Sequence, residues 1–145
     1  MNTVGKDQTD QDIETLVAIV KEMAASFTGE QSTRHWSTDA LWFDIPAFAS
    51  RGIAPAKAMF DRVFGSFQSR EVTILETETI MGDDMGIVCS VQKVDVVFKT
   101  GAAKTLLVRE TDCFKKSGPG EWQLVHQHAS VPSGGDWDGK ILTEA

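Results

Sequence analysis

Residues 121–132 read EWQLVHQHASVP, the clearest strand pattern in the chain. Alternation puts Trp122, Leu124, His126, His128 and Ser130 on one side, and Gln123, Val125, Gln127, Ala129 and Val131 on the other. The turn Ser117-Gly118-Pro119-Gly120 launches the stretch, and Pro132 with Ser133-Gly134-Gly135 stops it. Both faces mix apolar with hydrogen-bonding side chains, which a strand with one solvated face has no use for. The strand is therefore expected to be covered twice, by helices or a cavity on one side and by a partner on the other.

Around that strand, 145 residues with 41% hydrophobic content suffice for one domain with a sizeable core. The formal charge of -7 repels phosphate backbones and anionic lipid, so nucleic acid and membrane surfaces are poor partners. No stretch approaches a membrane span, and the opening residues MNTVGKDQTDQD lack the apolar core of a signal peptide; a cytoplasmic location is the expectation. Cys89 and Cys113 fall inside predicted strands and read as small buried hydrophobes in a reducing compartment, a disulfide being the alternative if those strands pair. Residues 1–9 are expected to be a flexible N-terminus, 10–132 the domain, and 133–145 a loose tail in which Trp137 and Ile141-Leu142 can fold back or touch a partner.

Upstream, Thr9 to Phe27 has helical spacing in Ile13, Leu16, Val17, Val20, Met23, Ala24 and Phe27, with Thr9 and Asp12 as a capping pair and Gly29 as a stop. A short helical turn is expected over Ser32 to Ser37, then a strand from Ala40 to Ile45 and a loop from Ala47 to Gly52. A second helix starts near Pro55 and carries Ala56, Met59, Phe60, Val63, Phe64 and Phe67 on its apolar stripe. Strands follow over Glu71–Ile80, Gly86–Phe98 and Lys104–Lys116, joined by turns at Gly82-Asp83-Asp84 and Thr100-Gly101. Ile87, Cys89 and Val91 alternate in one phase and Val94, Val96 and Phe98 in the other, which predicts a bulge in that strand. Helices first and a meandering sheet behind them imply an α+β fold with the helices in the concave face of a curved sheet.

Chemistry can sit in three places. Asp44 shares a strand face with Trp42 just before a proline, and reads either as a surface carboxylate or as a base in an aromatic-lined cavity, where desolvation raises its pKa. On the strand Lys104–Lys116, one face runs Leu106, Val108, Glu110, Asp112, Phe114, two acids inside an apolar stripe, with Arg109 pointing the other way. His126 and His128 form an H-x-H pair that could chelate, but His35 is the only other histidine, so no metal and no other cofactor is expected.

The first-helix pattern, HWSTDALWFDIP at 35–46, RGIAPAKAMF at 51–60 and the closing WQLVHQHASVP at 122–132 together resemble the SnoaL-like, nuclear transport factor 2-like superfamily over almost the whole chain. The last stretch also resembles the closing strand of the calcium/calmodulin-dependent kinase II association domain. The resemblance implies a cone-shaped α+β fold with a pocket in the cone, and a homodimer. Steroid isomerases of the superfamily place an aspartate base before a proline, loosely matched by Asp44-Ile45-Pro46, and a protonated acid on the penultimate strand, matched by Asp112. Their helix-1 tyrosine has no counterpart; this chain has no tyrosine, and Val20 lies near that place. Trp36 and Phe60 stand where some members carry further tyrosines. The same alignment assigns Val125, Gln127 and Ala129 to the pocket and turns His126 and His128 toward the dimer side, or behind the site, unless a bulge reverses the phase. The expected pocket is thus Asp44 and Asp112 as base and acid, lined by Trp36, Trp42, Phe60, Glu110, Val125 and Gln127. It would bind a modest apolar or aromatic molecule, for isomerase, cyclase or dehydratase chemistry; the alternative is a binding or assembly module without chemistry.

Overall fold

A computed structural model describes residues 3–134 and 139–144, with side chains from residue 7 onward. Three helices, α1 (Thr3–Ala25), α2 (Gly29–Ser32) and α3 (Ile53–Gly65), accompany six strands: β1 (Trp36–Asp44), β2 (Ala47–Arg51), β3 (Phe67–Met81), β4 (Met85–Phe98), β5 (Ala103–Gly118) and β6 (Glu121–Ser130). The strands form one mixed, curved sheet in the order β2-β1-β6-β5-β4-β3, parallel only between β1 and β6. The closing stretch thus lies inside the sheet, between the first strand and the β3–β5 meander. The helices fill the concave face, giving the α+β cone expected. Among the described residues, no helix is long and apolar enough to cross a membrane.

Several boundaries move. The helix expected from Thr9 begins at Thr3. Asp12, read as part of its cap, is instead an interior residue of the buried stripe with Leu16, Ile19, Val20 and Met23. Its Oδ1 accepts from Trp122 Nε1 at 3.2 Å and Gln8 Nε2 at 3.1 Å, and Lys116 Nζ lies 3.5 Å from Oδ2. Gly29 does not stop α1 but opens α2, with Thr28 as N-cap accepting from Gln31 N–H. The turn expected over Ser32–Ser37 therefore begins three residues earlier, at Gly29, and β1 starts at Trp36. The loop expected over Ala47–Gly52 is mostly the edge strand β2, whose pairing with β1 its sequence does not announce.

Two bulges set which residues face inward. The phase change anticipated in β4 is absent: Gly86, Val88, Ser90, Gln92 and Val96 are all buried in one phase, and β4 pairs with β5 without interruption. The irregularity is across the ladder, at Leu75 on β3, so that Ile74 faces Gln92 while Thr77, two residues beyond Leu75, faces Ser90. A second break lies on β6. Phe114 pairs with Leu124 and Cys113 with His126, leaving Val125 unpaired. Trp122 and Leu124 are buried before it, and Gln127 and Ala129 after it. The single face predicted for Trp122, Leu124, His126, His128 and Ser130 is therefore two half-faces.

The tail returns on itself: Ser133 bridges to Ile141, and Leu142 N–H donates to Pro132 O at 2.8 Å. Trp137 lies outside the described residues.

Candidate functional site

Below the core, the sheet and helices leave a cavity of about 250 Å³. Its apolar wall comes from Met23 on α1, Met59, Phe60, Val63 and Phe64 on α3, Phe67, Leu106, Val108 and Ala129 on the strands, and the turn residues Ile45 and Pro46. Its polar members are Ser32, Asp44, Arg70, Gln92, Glu110 and Gln127. A mostly apolar concavity with a few convergent polar groups is the usual form of a small-molecule site.

Asp44 closes β1, with Ala40 and Trp42 buried on its face. Its Oδ1 accepts from Ile45 N–H at 2.7 Å. Burial raises its pKa to about 6, with the Glu110 carboxylate adding to the rise and the Ile45 N–H and Arg70 opposing it. A carboxyl with a pKa of about 6 is mostly ionised at neutral pH yet basic enough to take a proton, which suits a general base.

Glu110 and Asp112 follow on the inward face of β5, as their spacing required, but they differ in access. Glu110 lines the cavity and accepts from Gln92 Nε2 at 3.1 Å, which also donates to Ser90 Oγ at 2.9 Å. Asp112 is completely buried behind that wall. Gln127 Nε2 donates to its Oδ1 at 2.9 Å, and among the described residues its Oδ2 makes no hydrogen bond within 3.5 Å, leaving the Glu110 carboxyl as its acidic neighbour. Burial, then the neighbouring Glu110 charge, pushes Asp112 well above the ordinary aspartate range. The Glu110 carboxyl two residues away on the same face thus adds to the cost of ionising Asp112.

Three expected lining residues are elsewhere. Val125 is the bulge residue and borders an outer groove with Gln123 and Lys115. Trp36 and Trp42 are buried in the core rather than exposed to the cavity. Trp36 Nε1 points to Met23 Sδ at 3.5 Å and its ring meets Phe60 edge-on at 5.8 Å, while Trp42 Nε1 donates to Gly52 O at 3.1 Å. Trp36 thus supports the wall residues Met23 and Phe60 from behind. His126 and His128 face the outer side of the sheet around Phe43, and His126 Nδ1 lies 2.9 Å from Leu41 O. His35 has a different partner, its Nε2 lying 2.7 Å from Glu22 Oε2. Among the described residues, no three His, Cys, Asp or Glu side chains gather as a metal-binding group.

One member escaped the sequence reading. Arg70 lies on β3 before the stretch taken as strand, on the same inward face as Val72 and Ile74. Its Nη1 donates to Ala24 O at 2.9 Å and Ser26 O at 2.7 Å, and the guanidinium lies 5.0 Å from the Phe64 ring centre. Burial lowers its pKa, while Glu110 and then Asp44 raise it. The signal was an arginine in phase with two aliphatic residues of a curved strand.

With this geometry, comparison with known proteins is informative. No curated protein matches the chain. Among solved structures, a protein of the NTF2-like family from Streptomyces avermitilis, named as a candidate dehydratase, superposes with TM-score 0.75 at 14% identity, over 84% of this chain and 97% of that one. An NTF2-like protein with a cystatin-like fold from Novosphingobium aromaticivorans gives 0.74 at 14% identity, over 96% and 90%. The association domain of C. elegans CaMKII gives 0.66 at 23% identity, over 90% and 100%. At these identities the likeness establishes the fold. The model of the calcium/calmodulin dependent protein kinase II association domain matches residues 11–133, nearly all of the cone, and the chain belongs to that family.

Proposed function

We propose that the cone binds a small, largely apolar molecule and that Asp44 exchanges a proton with it, Glu110 serving as the second acid–base group with Asp112 holding the reserve proton behind it. The observation that supports this most is Asp44 itself, a carboxyl at the edge of an apolar cavity whose pKa is raised to about 6 by burial, facing a second acid in the same space. Proton abstraction and return is the chemistry common to isomerases, cyclases and dehydratases, and it uses no metal or organic cofactor. The Streptomyces relative named as a candidate dehydratase is compatible with it. The test is deuterium uptake at the α-carbon of 2-tetralone, followed by proton NMR near neutral pH. Wild type should accelerate uptake over buffer and Asp44→Asn should not; equal rates for the two would dismiss Asp44 as the base.

Assembly is a compatible second reading, favoured by the outer face of the sheet. Ile87, Cys89 and Val91 on β4, Cys113 on β5 and Phe43 on β1 are only partly covered there, an apolar strip beside His126 and His128. A cytoplasmic homo-oligomer, at least a dimer, would bury that strip across a two-fold axis. Light scattering at micromolar concentration should return a multiple of 15.9 kDa, and Val91→Asp should return the single chain. A 15.9 kDa species for wild type would leave the strip uncovered and remove this reading.

A further inference from the structure

The hydrogen-bonding groups of the cavity are unevenly committed. On the donor side, Gln92 Nε2 is taken by Ser90 and Glu110, Gln127 Nε2 by Asp112, and Ser32 Oγ shares a 2.5 Å bond with Ser26 Oγ. Acceptors are left over. Asp44 receives the Ile45 N–H and Glu110 the Gln92 amide, each through one of its two oxygens. The amide oxygens of Gln92 and Gln127 accept no bond among the described residues. A molecule entering this space meets mostly acceptors, and a good ligand brings donors.

The charges point the same way. Three charged side chains line the cavity, Asp44, Glu110 and Arg70, while Asp112 lies behind the wall. Arg70 forms no salt bridge among the described residues; its Nη1 donates to Ala24 O and Ser26 O, and its guanidinium lies over the Phe64 ring. Its charge is felt by both acids and offsets one of the two. A neutral ligand leaves one half-buried negative charge unanswered, an anion adds another, and a monocation cancels it. Phe60 and Phe67 add aromatic rings to the lining, which attract cations and not anions. A metal ion would need more oxygen ligands than these two acids supply, whereas the mostly apolar wall suits a hydrocarbon body. We propose that the cone selects a small aryl- or alkyl-ammonium ion, its body against the apolar wall and its N–H groups shared between the Glu110 and Asp44 carboxylates and the Gln92 amide oxygen. The inference rests on the reading above that the cone binds a small, largely apolar molecule, and adds the charge of that molecule. A bound ammonium also keeps Asp44 ionised, the form in which it accepts a proton.

The experiment is calorimetric titration at neutral pH with benzylamine, benzyl alcohol and benzoate, which share a ring and differ in charge. Wild type should bind benzylamine at least about tenfold more tightly than benzyl alcohol, and benzoate most weakly. Glu110→Gln and Asp44→Asn should each weaken benzylamine by about tenfold and leave benzyl alcohol unchanged, since they remove charge and keep shape. Glu71→Gln, an exposed position on β3, should change nothing and controls for attraction to a chain of net charge -7. Each variant is first melted to confirm its fold, and if one cavity variant does not fold the other carries the comparison. Equal affinity for benzylamine and benzyl alcohol, or tighter binding of benzoate, overturns the proposal and leaves the same cone with a neutral or anionic ligand. Equal weakening of benzylamine by Glu71→Gln and by the cavity variants overturns it as attraction to the acidic surface alone. Failure of folded wild type to bind any of the three, repeated by ligand-observed NMR, overturns it together with the binding part of the reading above. Charge-selective binding of benzylamine, with deuterium uptake into the ketone equal in wild type and Asp44→Asn, supports the proposal and sinks the base reading alone.

Discussion

Asp12 and Asp112 are both buried, 6% and 0% exposed, on the inner side of the same cone, and their surroundings are opposites. Asp12, beside the β5–β6 hairpin, accepts from the Trp122 indole and Gln8 and has Lys116 within 3.5 Å. Asp112, midway along β5, has one amide donor, one orphaned oxygen and a second acid for a neighbour. The first region ties α1 to the end of the sheet with its polar groups matched. The second leaves a buried acid unmatched behind the cavity wall. Burial alone is thus no mark of function; the proposed acid–base chemistry draws on the unmatched acid.

The largest effect that separates the regions is on chemistry. Asp44→Asn should slow any α-proton exchange in the cavity by about 10²–10⁴-fold, the usual contribution of a positioned base, with the fold retained. Asp12→Asn should leave that rate unchanged. A comparable loss in both variants would erase the distinction.

Stability is expected to move next, and in opposite directions. Asp12→Ala strands the buried Trp122 N–H and should cost about 1–3 kcal/mol in urea unfolding. Asp112→Asn removes an acid that the fold holds unwillingly and should be neutral or stabilising at pH 7. A destabilised Asp112→Asn together with an unaffected Asp12→Ala would invert the comparison.

The pH dependence follows with its sign. A carboxyl with a raised folded pKa keeps its proton in the folded state at a pH where the unfolded chain has released it. Asp44 therefore costs nothing below about pH 3.8 and costs progressively more as pH rises to about 6, of order 1–2 kcal/mol for this half-buried group. Wild type should lose that much stability relative to Asp44→Asn across the interval, and parallel pH profiles would show that no such strain exists. Smallest is Lys116→Met: the 3.5 Å ion pair is partly exposed, and its loss should change stability by less than about 1 kcal/mol.

The legible and illegible parts of this molecule differ in physical kind. Strict alternation on β5 put Leu106, Val108, Glu110, Asp112 and Phe114 on one face, and no bulge intervened to spoil it. On β6 the same rule failed at Val125, because a bulge is a pairing event decided by the neighbouring strand and leaves no mark in the local pattern. Val125 lies outside the cavity for that reason, while Gln127 and Ala129 beyond it line its wall. The tryptophans misled differently: an aromatic ring near a predicted acid reads as cavity lining, but Trp36 and Trp42 have their indole N–H groups pointed at Met23 and Gly52 and serve the core. Arg70 was hidden by a boundary, since β3 begins four residues before its alternation becomes visible at Glu71.

The most direct test of the account is a carbon-detected NMR titration of the Asp44 side-chain carboxyl, in wild type and in Glu110→Gln. A midpoint of about 6 is expected in wild type and a lower one in the variant, because burial and the Glu110 charge raise it together. A midpoint near the model-peptide value of about 3.9, indifferent to Glu110, would make Asp44 an ordinary solvated acid and the cone a module without proton chemistry.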